Sequence, residues 1–413
     1  MRIAIWHNLP SGGGKRALHD HVRGLVDRNH EVVAWCPPMA DQKFFPLSEI
    51  IEENIVPLDW HETASSNPGI VDRTRRLLLR QRAFSYHYEQ CAKEIAARRF
   101  DLLLGHPCQV NLAPGIARFV NIPSVLYLQE PNRGLYEARP IHPFAAPSPN
   151  GSILTNTLQW VRHASRIIGL SLRVREESEN ARAFDRILVN SLFSRESILR
   201  TYGTDSHVCY LGVDTTKFRP LNQRRDRTVV GLGSFQFAKG VDIAIEAIGC
   251  LPTPRPTLVW VANGFDTKFR SLMEDLAAKR SVQLRLEMNV SEDSLVDLLN
   301  KAAVMIYPSR LEPFGYAPLE AGACATPVVA IAEGGVRESV RDGVNGILVG
   351  SEPKQIAEAI GKIIDNPEFA QRLGESACRD IRANWNLPES IDRLERMLDE
   401  VLVESRRRLG SAN

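Results

Sequence analysis

The sequence lacks the features of metal-stapled, disulfide-stapled and membrane-spanning proteins. Its seven cysteines are scattered, their number is odd and no Cys-x-x-Cys pair occurs, so neither a zinc site nor a disulfide framework is expected. No apolar run approaches the ~18 residues that a membrane-spanning helix needs. Met1 leads directly into a predicted strand, and residues 11–14 interrupt before a long apolar segment forms, so we expect no signal peptide. These absences predict reduced cysteines and a cytoplasmic location.

The chain also has little net charge. Its 51 basic and 49 acidic side chains leave a formal charge of +2, which gives no reason to expect nucleic acid as a partner. An apolar content of 44% is ample for burial. Because 413 residues exceed what one hydrophobic core usually supports, the length predicts two domains.

Apolar strand patterns alternate with helical patterns in two separate series. The first series has strands at 2–6, 31–35, 101–104, 123–127 and 186–190, and the second begins at 228–233 and 257–261. Near-continuous apolar strands between helices predict an α/β protein with parallel sheets. The polar stretch 214–226 is predicted to be a linker, and 388–409 a charged amphipathic helix.

The stretch from Glu312 to Glu320 is the most informative part of the sequence. A buried strand is predicted at 304–307 and is closed by Pro308, while Pro318 favours the start of a helix because its missing N–H would be unpaired there. Glu312 would then lie on a loop and Glu320 in the first turn of the helix. Such a helix start suits a phosphate and two carboxylates suit vicinal hydroxyls, so the pattern indicates a nucleotide sugar.

The segment from Ala302 to Val349 resembles the donor site of the family-4 retaining glycosyltransferases. Two glutamates alone would more often be a loop acid and a helix-stabilising acid, but here order, spacing and residue type all agree with the family. The family pattern has two glutamates, a small-residue helix, a Thr-Pro-Val-Val strand, a Gly-Gly turn and a late glutamate. The matching residues are Glu312, Glu320, Ala321–Ala325, Thr326–Val329, Gly334–Gly335 and Glu338, followed by Asp342–Val349.

The resemblance implies the GT-B fold, in which two Rossmann-like α/β domains face a central cleft. We expect an acceptor-binding domain at 1–208 and a nucleotide-sugar donor domain at 209–380. The last segment, 381–413, would contain a helix that crosses back to the first domain.

The resemblance also implies roles for single residues. Glu320 would hold the ribose hydroxyls of a nucleotide-diphosphate sugar, the donor substrate, and Glu312 its sugar hydroxyls; no separate cofactor is expected. Backbone N–H groups that would contact sugar and phosphate belong to Phe314, Gly315, Tyr316 and Ala317. No Asp-x-Asp triplet occurs, so no bridging metal is expected and Lys239 would stabilise the leaving diphosphate. With no evident carboxylate nucleophile, the acceptor would attack from the face of the leaving group.

A glycine turn is predicted between the first strand and the first helix. Gly12, Gly13 and Gly14 would let backbone N–H groups approach a ligand closely. It is not a P-loop, because Arg16 follows Lys15, and the Gly-x-Gly-x-x-Gly dinucleotide pattern is absent. Alone this would be an ordinary turn, but by resemblance it faces the donor phosphates across the cleft.

The chain departs from the family pattern at two positions. The family usually has Gly-Arg-x-x-x-x-Lys-Gly after the first strand of the donor domain, and here Lys239 is retained while Ser234 stands where the arginine is expected. This removes a bidentate phosphate clamp, which implies either an altered donor or another arginine supplied from elsewhere. Gln129 stands where many members have a histidine, so its role would be positional. His106 either faces the cleft or is a partly exposed histidine at a strand end.

Five arginines crowd a predicted helix around residues 77–79; they are Arg73, Arg75, Arg76, Arg80 and Arg82. A solvated basic face is the simplest interpretation. The alternative is a basic amphipathic helix that meets an anionic acceptor, or anionic lipid at the inner face of the membrane.

The sequence therefore predicts a retaining, metal-independent glycosyltransferase acting on a glycan, a lipid-linked or a small-molecule acceptor. Two alternatives are a non-catalytic nucleotide-sugar-binding protein, suggested by Ser234 and Gln129, and a GT-B epimerase or phosphorylase. The intact segment from Glu312 to Glu320 argues against both. The acceptor surface is expected in the loops at 36–82 and 130–160.

Overall fold

The computed structural model describes residues 1–60, 70–136 and 153–411, with the backbone alone for 70–74, 153–167 and 409–411. The predicted acceptor loops therefore lie partly outside the described residues, at 61–69 and 137–152. The chain divides into two compact units. Unit 1 comprises Met1–Asn190, Ser194–Cys209 and Ile391–Asn413, and unit 2 comprises Ser191–Phe193 and Tyr210–Ser390.

Unit 1 is built on a seven-stranded parallel sheet in the order β3-β2-β1-β4-β5-β6-β7. The strands are β1 (Arg2–Asn8), β2 (Glu31–Cys36), β3 (Glu52–Ile55), β4 (Leu102–Cys108), β5 (Ser124–Tyr127), β6 (Arg186–Val189) and β7 (His207–Val208). The helices are α1 (Gly13–Asp27), α2 (Ile70–Arg98), α3 (Arg133–Tyr136), α4 (Ile153–Arg182) and α5 (Leu192–Tyr202), the last beginning with two residues of unit 2. Trp6, Trp35 and Phe84 fill the core between sheet and helices.

Unit 2 is built on a six-stranded parallel sheet in the order β10-β9-β8-β11-β12-β13. The strands are β8 (Thr228–Leu232), β9 (Thr257–Ala262), β10 (Leu284–Met288), β11 (Val304–Tyr307), β12 (Val328–Ile331) and β13 (Ile347–Val349). The helices are α6 (Val241–Cys250), α7 (Thr267–Arg280), α8 (Glu292–Lys301), α9 (Tyr316–Ala323), α10 (Val336–Ser339), α11 (Pro353–Ile364) and α12 (Pro367–Asn384). The last helix, α13 (Leu387–Ser411), begins in unit 2 and belongs to unit 1 from Ile391 onward. In both sheets the chain reverses direction beside the first strand, as in doubly wound folds.

The predicted alternation of strands and helices is confirmed in both units. Strands β3 and β7 are both absent from the predicted series: β7 has only two residues, and β3 has the sequence Glu-Glu-Asn-Ile at the edge of the sheet. The two glutamates of β3 find partners instead. Glu52 accepts both hydrogen bonds of the Arg98 guanidinium, and Glu53 contacts His7 inside the unit.

The stretch predicted as a linker, 214–226, is packed against unit 2. Arg225 is the reason, because its guanidinium donates to five backbone carbonyls and to the Thr326 hydroxyl. Asp226 N–H donates to the carbonyl of Lys301 at 2.7 Å, immediately before β8. The polar residues of this stretch therefore form hydrogen bonds with the backbone at the ends of neighbouring elements, and the stretch is not a free linker.

The cysteines are as expected from the sequence. All seven are free thiols, and six of them are buried as small core residues, with Cys250 exposed. Among the described residues, no helix combines the length and the apolar character that crossing a membrane requires.

Candidate functional site

The candidate site of unit 2 lies where strands β8, β11 and β12 end. These strands are neighbours in a parallel sheet, so their carboxyl ends meet at one edge, where ligands of open α/β sheets bind. The loop after β8 carries Ser234 and Lys239, and the loop after β11 carries Glu312 and Gly315. The loop after β12 carries the Gly-Gly turn. Residues that are far apart in sequence are thereby brought to one place.

An ion pair joins two of these loops. Lys239 Nζ lies 2.6 Å from Glu312 Oε2, and the side chains are 22% and 19% exposed. Each group can therefore exchange its partner for a ligand. An anion such as a phosphate would compete for the ammonium, and a sugar hydroxyl would donate to the carboxylate.

The position of Lys239 follows from the glycine after it. The residue closes a short 3₁₀ turn, Phe237–Lys239, and Gly240 follows with φ 70°. A Cβ at Gly240 would lie 2.1 Å from the carbonyl oxygen of Pro308, so only glycine fits this contact between the two loops. In the Lys-Gly pair, Lys239 thus supplies the side chain at the site and Gly240 meets a packing requirement.

The Gly-Gly turn after β12 supports the backbone of the loop that carries Glu312. A Cβ at Gly334 would lie 2.2 Å from the carbonyl oxygen of Glu312, and one at Gly335 would lie 2.1 Å from that of Pro313. The Gly335 N–H also donates to the Glu312 carbonyl at 2.8 Å. The motif is explained by this close approach of two backbones.

Helix α9 begins earlier than the sequence indicates. It starts at Tyr316 behind Gly315, whose φ of 100° no other residue adopts readily, so Pro318 is its third residue and not its first. Glu320 therefore lies in the second turn, and its side chain is buried at 2% exposure. The prediction of a first-turn glutamate is wrong by this shift.

Tyr307 connects the two glutamates. Burial, and after it the charge of Glu312, hold the pKa of Tyr307 well above its usual range, with a smaller contribution from Glu320. The phenol therefore keeps its proton, and both carboxylates lie close enough to it for their charges to act on it. This places Glu312 and Glu320 in one region at the start of α9.

Two further residues of the motif have protein partners. Glu338 accepts the N–H groups of Leu192 and Phe193 and the Tyr210 hydroxyl, all within unit 2. Phe314 is buried against Trp385. Ser234 is half-buried beside Gly233, without an arginine in the family's position.

An arginine that the sequence analysis missed lies between these loops. The guanidinium of Arg310 donates to both carboxylate oxygens of Asp242 and to the carbonyl of Phe237. Only its place two residues before Glu312 could have indicated a role, and that signal is weak.

The predicted glycine turn of unit 1 is shorter than expected, because Gly13 and Gly14 form the start of the first helix and only Gly12 lies in the turn before it. Gly12 has φ 141° and precedes α1, which begins at Gly13, and a Cβ at Gly12 would meet nothing within 4 Å. A Cβ at Gly14 would lie 3.6 Å from the Gln129 side-chain oxygen. The turn is open on one side and borders Gln129 on the other.

Gln129 follows strand β5, and its backbone carbonyl accepts the Ser194 hydroxyl at 2.7 Å. Its side-chain Nε2 is buried without a hydrogen-bond partner among the described residues. A buried amide donor next to a glycine turn is able to bind a hydroxyl or phosphate oxygen.

His106 does not have the partial exposure that one interpretation assumed. Its ring is completely buried within unit 1, stacked on Tyr127 and close to His21. Burial, and after it the neighbouring His21, hold the pKa of His106 well below its usual range. The ring is neutral and is part of the core, so we leave it out of the proposed site.

A buried polar cluster in unit 1 also escaped the sequence analysis. His7 Nε2 and Lys15 Nζ lie 2.8 Å and 4.0 Å from Glu53 Oε1, and Cys36 lies beside them. The ligand atoms of His7, Cys36 and Glu53 fall within 4.8 Å of one another. However, burial raises the pKa of Cys36 to about 12, so its thiol keeps its proton, and Lys15 already supplies a counter-charge to Glu53. We interpret the cluster as an internal ion-pair network below the glycine turn.

The arginine-rich helix is α2, and its side chains differ from the expected uniform basic face. Arg80 is buried and pairs with Glu176 at 2.9 Å, which corrects its assignment to that face. Arg75 and Arg82 are exposed, and the side chain of Arg73 lies outside the described residues.

Two family models cover most of the chain. The model described as Glycosyltransferase Family 4 matches residues 11–217, and the one described as Glycosyl transferases group 1 matches residues 213–380. The first model alone accounts for half of the sequence.

Named relatives agree with these models. A D-inositol 3-phosphate glycosyltransferase of Streptomyces griseus subsp. griseus is 31% identical over 266 residues, which are 55% of this chain and 55% of that protein. The enzyme of that name from Acidothermus cellulolyticus is 32% identical over 240 residues, 52% of this chain and 53% of that protein. The chain thus spans about half the length of the curated relatives it matches.

Solved structures share the fold over nearly the whole chain. A HepE structure from Anabaena in complex with UDP and glucose aligns at a TM-score of 0.72 and 18% identity, covering 97% of this chain and 99% of that one. Sucrose-phosphate synthase from Thermosynechococcus elongatus aligns at 0.72 and 18% identity, covering 100% of both chains. These neighbours confirm the predicted GT-B fold class with two parallel-sheet α/β domains. The family models, of which the first covers half of the sequence, establish that the chain belongs to glycosyltransferase family 4.

Proposed function

We propose that the protein is a retaining glycosyltransferase that moves a sugar from a nucleotide-diphosphate sugar to a hydroxyl acceptor without a metal ion. The observation that carries this proposal is the ion pair between Lys239 and Glu312, 2.6 Å long, at the carboxyl edge of the unit 2 sheet. It brings an ammonium group, which is able to bind a phosphate, next to a carboxylate, which is able to bind a sugar hydroxyl. Family membership supports the reaction class.

In this proposal the two glutamates bind different parts of the donor. Glu320, buried in the second turn of α9, accepts hydrogen bonds from the ribose hydroxyls, and Glu312 accepts them from the sugar hydroxyls. The backbone N–H groups of Phe314, Gly315, Tyr316 and Ala317, at the positive end of the α9 dipole, contact sugar and phosphate. Buried or half-buried carboxylates bind hydroxyls strongly because little water competes.

Lys239 stabilises the leaving diphosphate. When the donor binds, its ammonium exchanges Glu312 for a phosphate oxygen and neutralises the charge that develops as the glycosidic C–O bond breaks. By the family resemblance, Gly12–Gly14 of unit 1 are also proposed to bind phosphate. With charge stabilisation from Lys239 and helix dipoles, we expect transfer to survive excess chelator, and a requirement for magnesium or manganese would refute this account.

Retention follows if the acceptor attacks from the face of the leaving group. The acceptor oxygen then forms the new bond to the anomeric carbon, and its proton passes to the departing phosphate oxygen. Gln129 would hold a hydroxyl through its unpaired amide donor and take no part in proton transfer, because an amide does not titrate.

The acceptor is proposed from the relatives' names. Two proteins that share about half their length with this chain are named D-inositol 3-phosphate glycosyltransferases, so D-inositol 3-phosphate is the first acceptor to test. Glycan and lipid-linked acceptors complete the panel.

A donor screen tests the proposal directly. Purified protein is mixed with UDP-, GDP- and ADP-sugars, and stabilisation is measured by thermal shift, since a ligand at ~100 times its dissociation constant stabilises by about 2.7 kcal/mol. Transfer to each acceptor is then followed, and NMR of the product gives the anomeric configuration. Inversion of configuration would refute the retaining mechanism, and stabilisation by no donor would refute the donor site.

One alternative has an observation in its favour. Ser234 leaves the diphosphate without the family's arginine, which suits a nucleotide-sugar-binding protein that does not turn over. Such a protein would be stabilised by a donor but would give neither transfer nor donor hydrolysis, whereas an epimerase or phosphorylase would release products without an acceptor adduct.

We also propose that helix α2 meets an anionic surface. Its exposed side includes Arg75, Leu78, Leu79, Arg82 and Tyr86, which recur at the spacing of one helical face and include three large apolar side chains exposed by 48% or more. Basic and apolar side chains on one face are typical of helices that bind at the surface of an anionic membrane.

A further inference from the structure

The loop that carries Lys239 is fastened to the loop that carries Glu312 by one residue. Arg310 Nη1 donates to the Phe237 carbonyl at 2.6 Å, and its backbone N–H donates to the Ala238 carbonyl at 2.9 Å. Its guanidinium also forms a bidentate pair with Asp242, at 3.0 and 2.7 Å. Because Phe237 and Asp242 lie on either side of Lys239, Arg310 holds the turn at both of its ends.

The surroundings of Arg310 restrict it to this geometry. Its guanidinium lies over the Phe237 ring, 4.0 Å from the centroid, and the side chain is 19% exposed. A planar group that stacks and donates to three acceptors at once fixes its neighbours in a way that the single ammonium of lysine does not. Two residues later the chain reaches Glu312, which pairs with Lys239 itself.

We propose that Arg310, oriented by Asp242, is a positioning residue that sets the place of Lys239 against the donor diphosphate. It compensates in this way for the serine at position 234. With no second cation from that position, the function of the site depends on one ammonium being held accurately, and Arg310 supplies the constraint. This inference rests on the proposed function, since it assigns Lys239 to the diphosphate.

Four variants test the inference with the donor and acceptor found in the screen. Arg310→Lys keeps the charge but loses the fork, and Asp242→Asn weakens the orienting pair. Arg310→Met removes both the charge and the planar fork of the arginine, and Lys239→Met removes the ammonium. The control is Arg280→Lys. Arg280, the last residue of α7, pairs at 2.8 Å with Glu246, which lies on the same helix as Asp242 but in a more exposed ion pair. Each variant is characterised by its melting temperature, its affinity for UDP or the matching nucleoside diphosphate, and its kcat and KM.

A displacement of about 1 Å at a catalytic group can cost about a hundredfold in rate, so we expect that loss of kcat in Arg310→Met. Arg310→Lys and Asp242→Asn should each lose about tenfold, which is an intermediate displacement on the same scale. In the Lys239→Met background the Arg310→Met change should cost little more, because residues that act as one unit are not additive. Arg280→Lys should change the melting temperature alone.

The outcomes separate the inference from the proposed function. If Lys239→Met impairs turnover and nucleotide binding while Arg310→Met shifts only the melting temperature, the positioning role is refuted and the donor site stands. An additive loss in the double variant would equally refute action through Lys239. If Lys239→Met changes neither quantity, or wild-type protein binds no nucleoside diphosphate, the proposed function itself fails and the inference fails with it.

Discussion

Glu312 pairs with Lys239 in the structure and is proposed to bind the donor sugar during the reaction, and this competition gives the sharpest prediction. In the structure its carboxylate holds Lys239, whereas the proposed reaction needs Lys239 on the diphosphate and Glu312 on the sugar. Replacing Glu312 by Gln removes a charge that competes with the diphosphate for the ammonium. The free nucleoside diphosphate should therefore bind more tightly to Glu312→Gln than to the wild type, although turnover should fall.

The magnitude follows from the exposure of the pair. Both side chains are about one-fifth exposed, so water screens the attraction only in part. A pair of this kind contributes about 1 kcal/mol, which is roughly a fivefold gain in affinity for the nucleoside diphosphate. A hydrogen bond to a charged group contributes roughly 1.5–3 kcal/mol, so the loss of the sugar contact should lower donor turnover about ten- to hundredfold.

Glu320 should respond in the opposite way. Its carboxylate is assigned to the ribose, which is present in free nucleotide and intact donor, so Glu320→Gln should weaken both by about ten- to hundredfold. A matched control is Glu287→Gln, because Glu287 forms an exposed pair with Arg285 on β10 of the same unit. It should change neither affinity.

Calorimetry with the nucleoside diphosphate and transfer kinetics, run on all three variants, complete the experiment. Melting temperatures show whether the buried Glu320→Gln variant is folded. The reasoning fails if Glu312→Gln weakens the free nucleotide as much as Glu320→Gln does, because the sugar and ribose roles would then be wrongly assigned.

Three further predictions rest on other parts of the structure. Gly334→Ala puts a methyl group against the Glu312 backbone at a positive φ, so unfolding experiments should show a loss of about 1–3 kcal/mol together with lower turnover. The wild-type protein, which carries Arg75 and Arg82, should sediment with anionic vesicles at low salt. It should be released near 1 M salt, where the screening length falls to ~3 Å, and equal recovery with neutral vesicles would refute the membrane proposal. His21 has a folded-state pKa of about 3 through burial, against 6.5 unperturbed, so its contribution to stability is complete above pH 6.5 and decreases as the pH falls toward 3. The decrease is at most ~1.4 kcal/mol per pH unit, and urea unfolding of His21→Leu should show a shallower decline between pH 7 and 5 than the wild type.

Much of the fold was predictable because its strands are buried on both faces. Continuous apolar stretches such as 257–261 have one stable environment, the interior of a parallel sheet, and their alternation with helices gives the doubly wound order. Strand β3 was missed for the same reason, since an edge strand pairs its polar side chains with neighbours instead of burying apolar ones.

The residues of the candidate site likewise fall into those that local sequence predicts and those that it does not. Lys239, Glu312 and Glu320 could be found because their chemistry is tied to a local spacing of glycines, prolines and carboxylates. Arg310 and Glu53 could not be found, because the role of each depends on partners that are tens of residues away in the sequence. These partners are Asp242 for Arg310, and His7 and Lys15 for Glu53. His106 shows the converse, a residue of suitable chemistry whose complete burial removes it from the site.

By itself the sequence determined the α/β class, the family and the chemical character of the donor segment, since these depend on local patterns of burial, turn geometry and charge. The tertiary structure alone decided that Lys239 pairs with Glu312, that Gly334 and Gly335 pack on the Glu312 loop, and that α9 begins at Tyr316. Those facts depend on three parallel strands ending at one edge of a sheet. The strand order that brings them there is set by the packing of the whole unit and is written in no single stretch of residues.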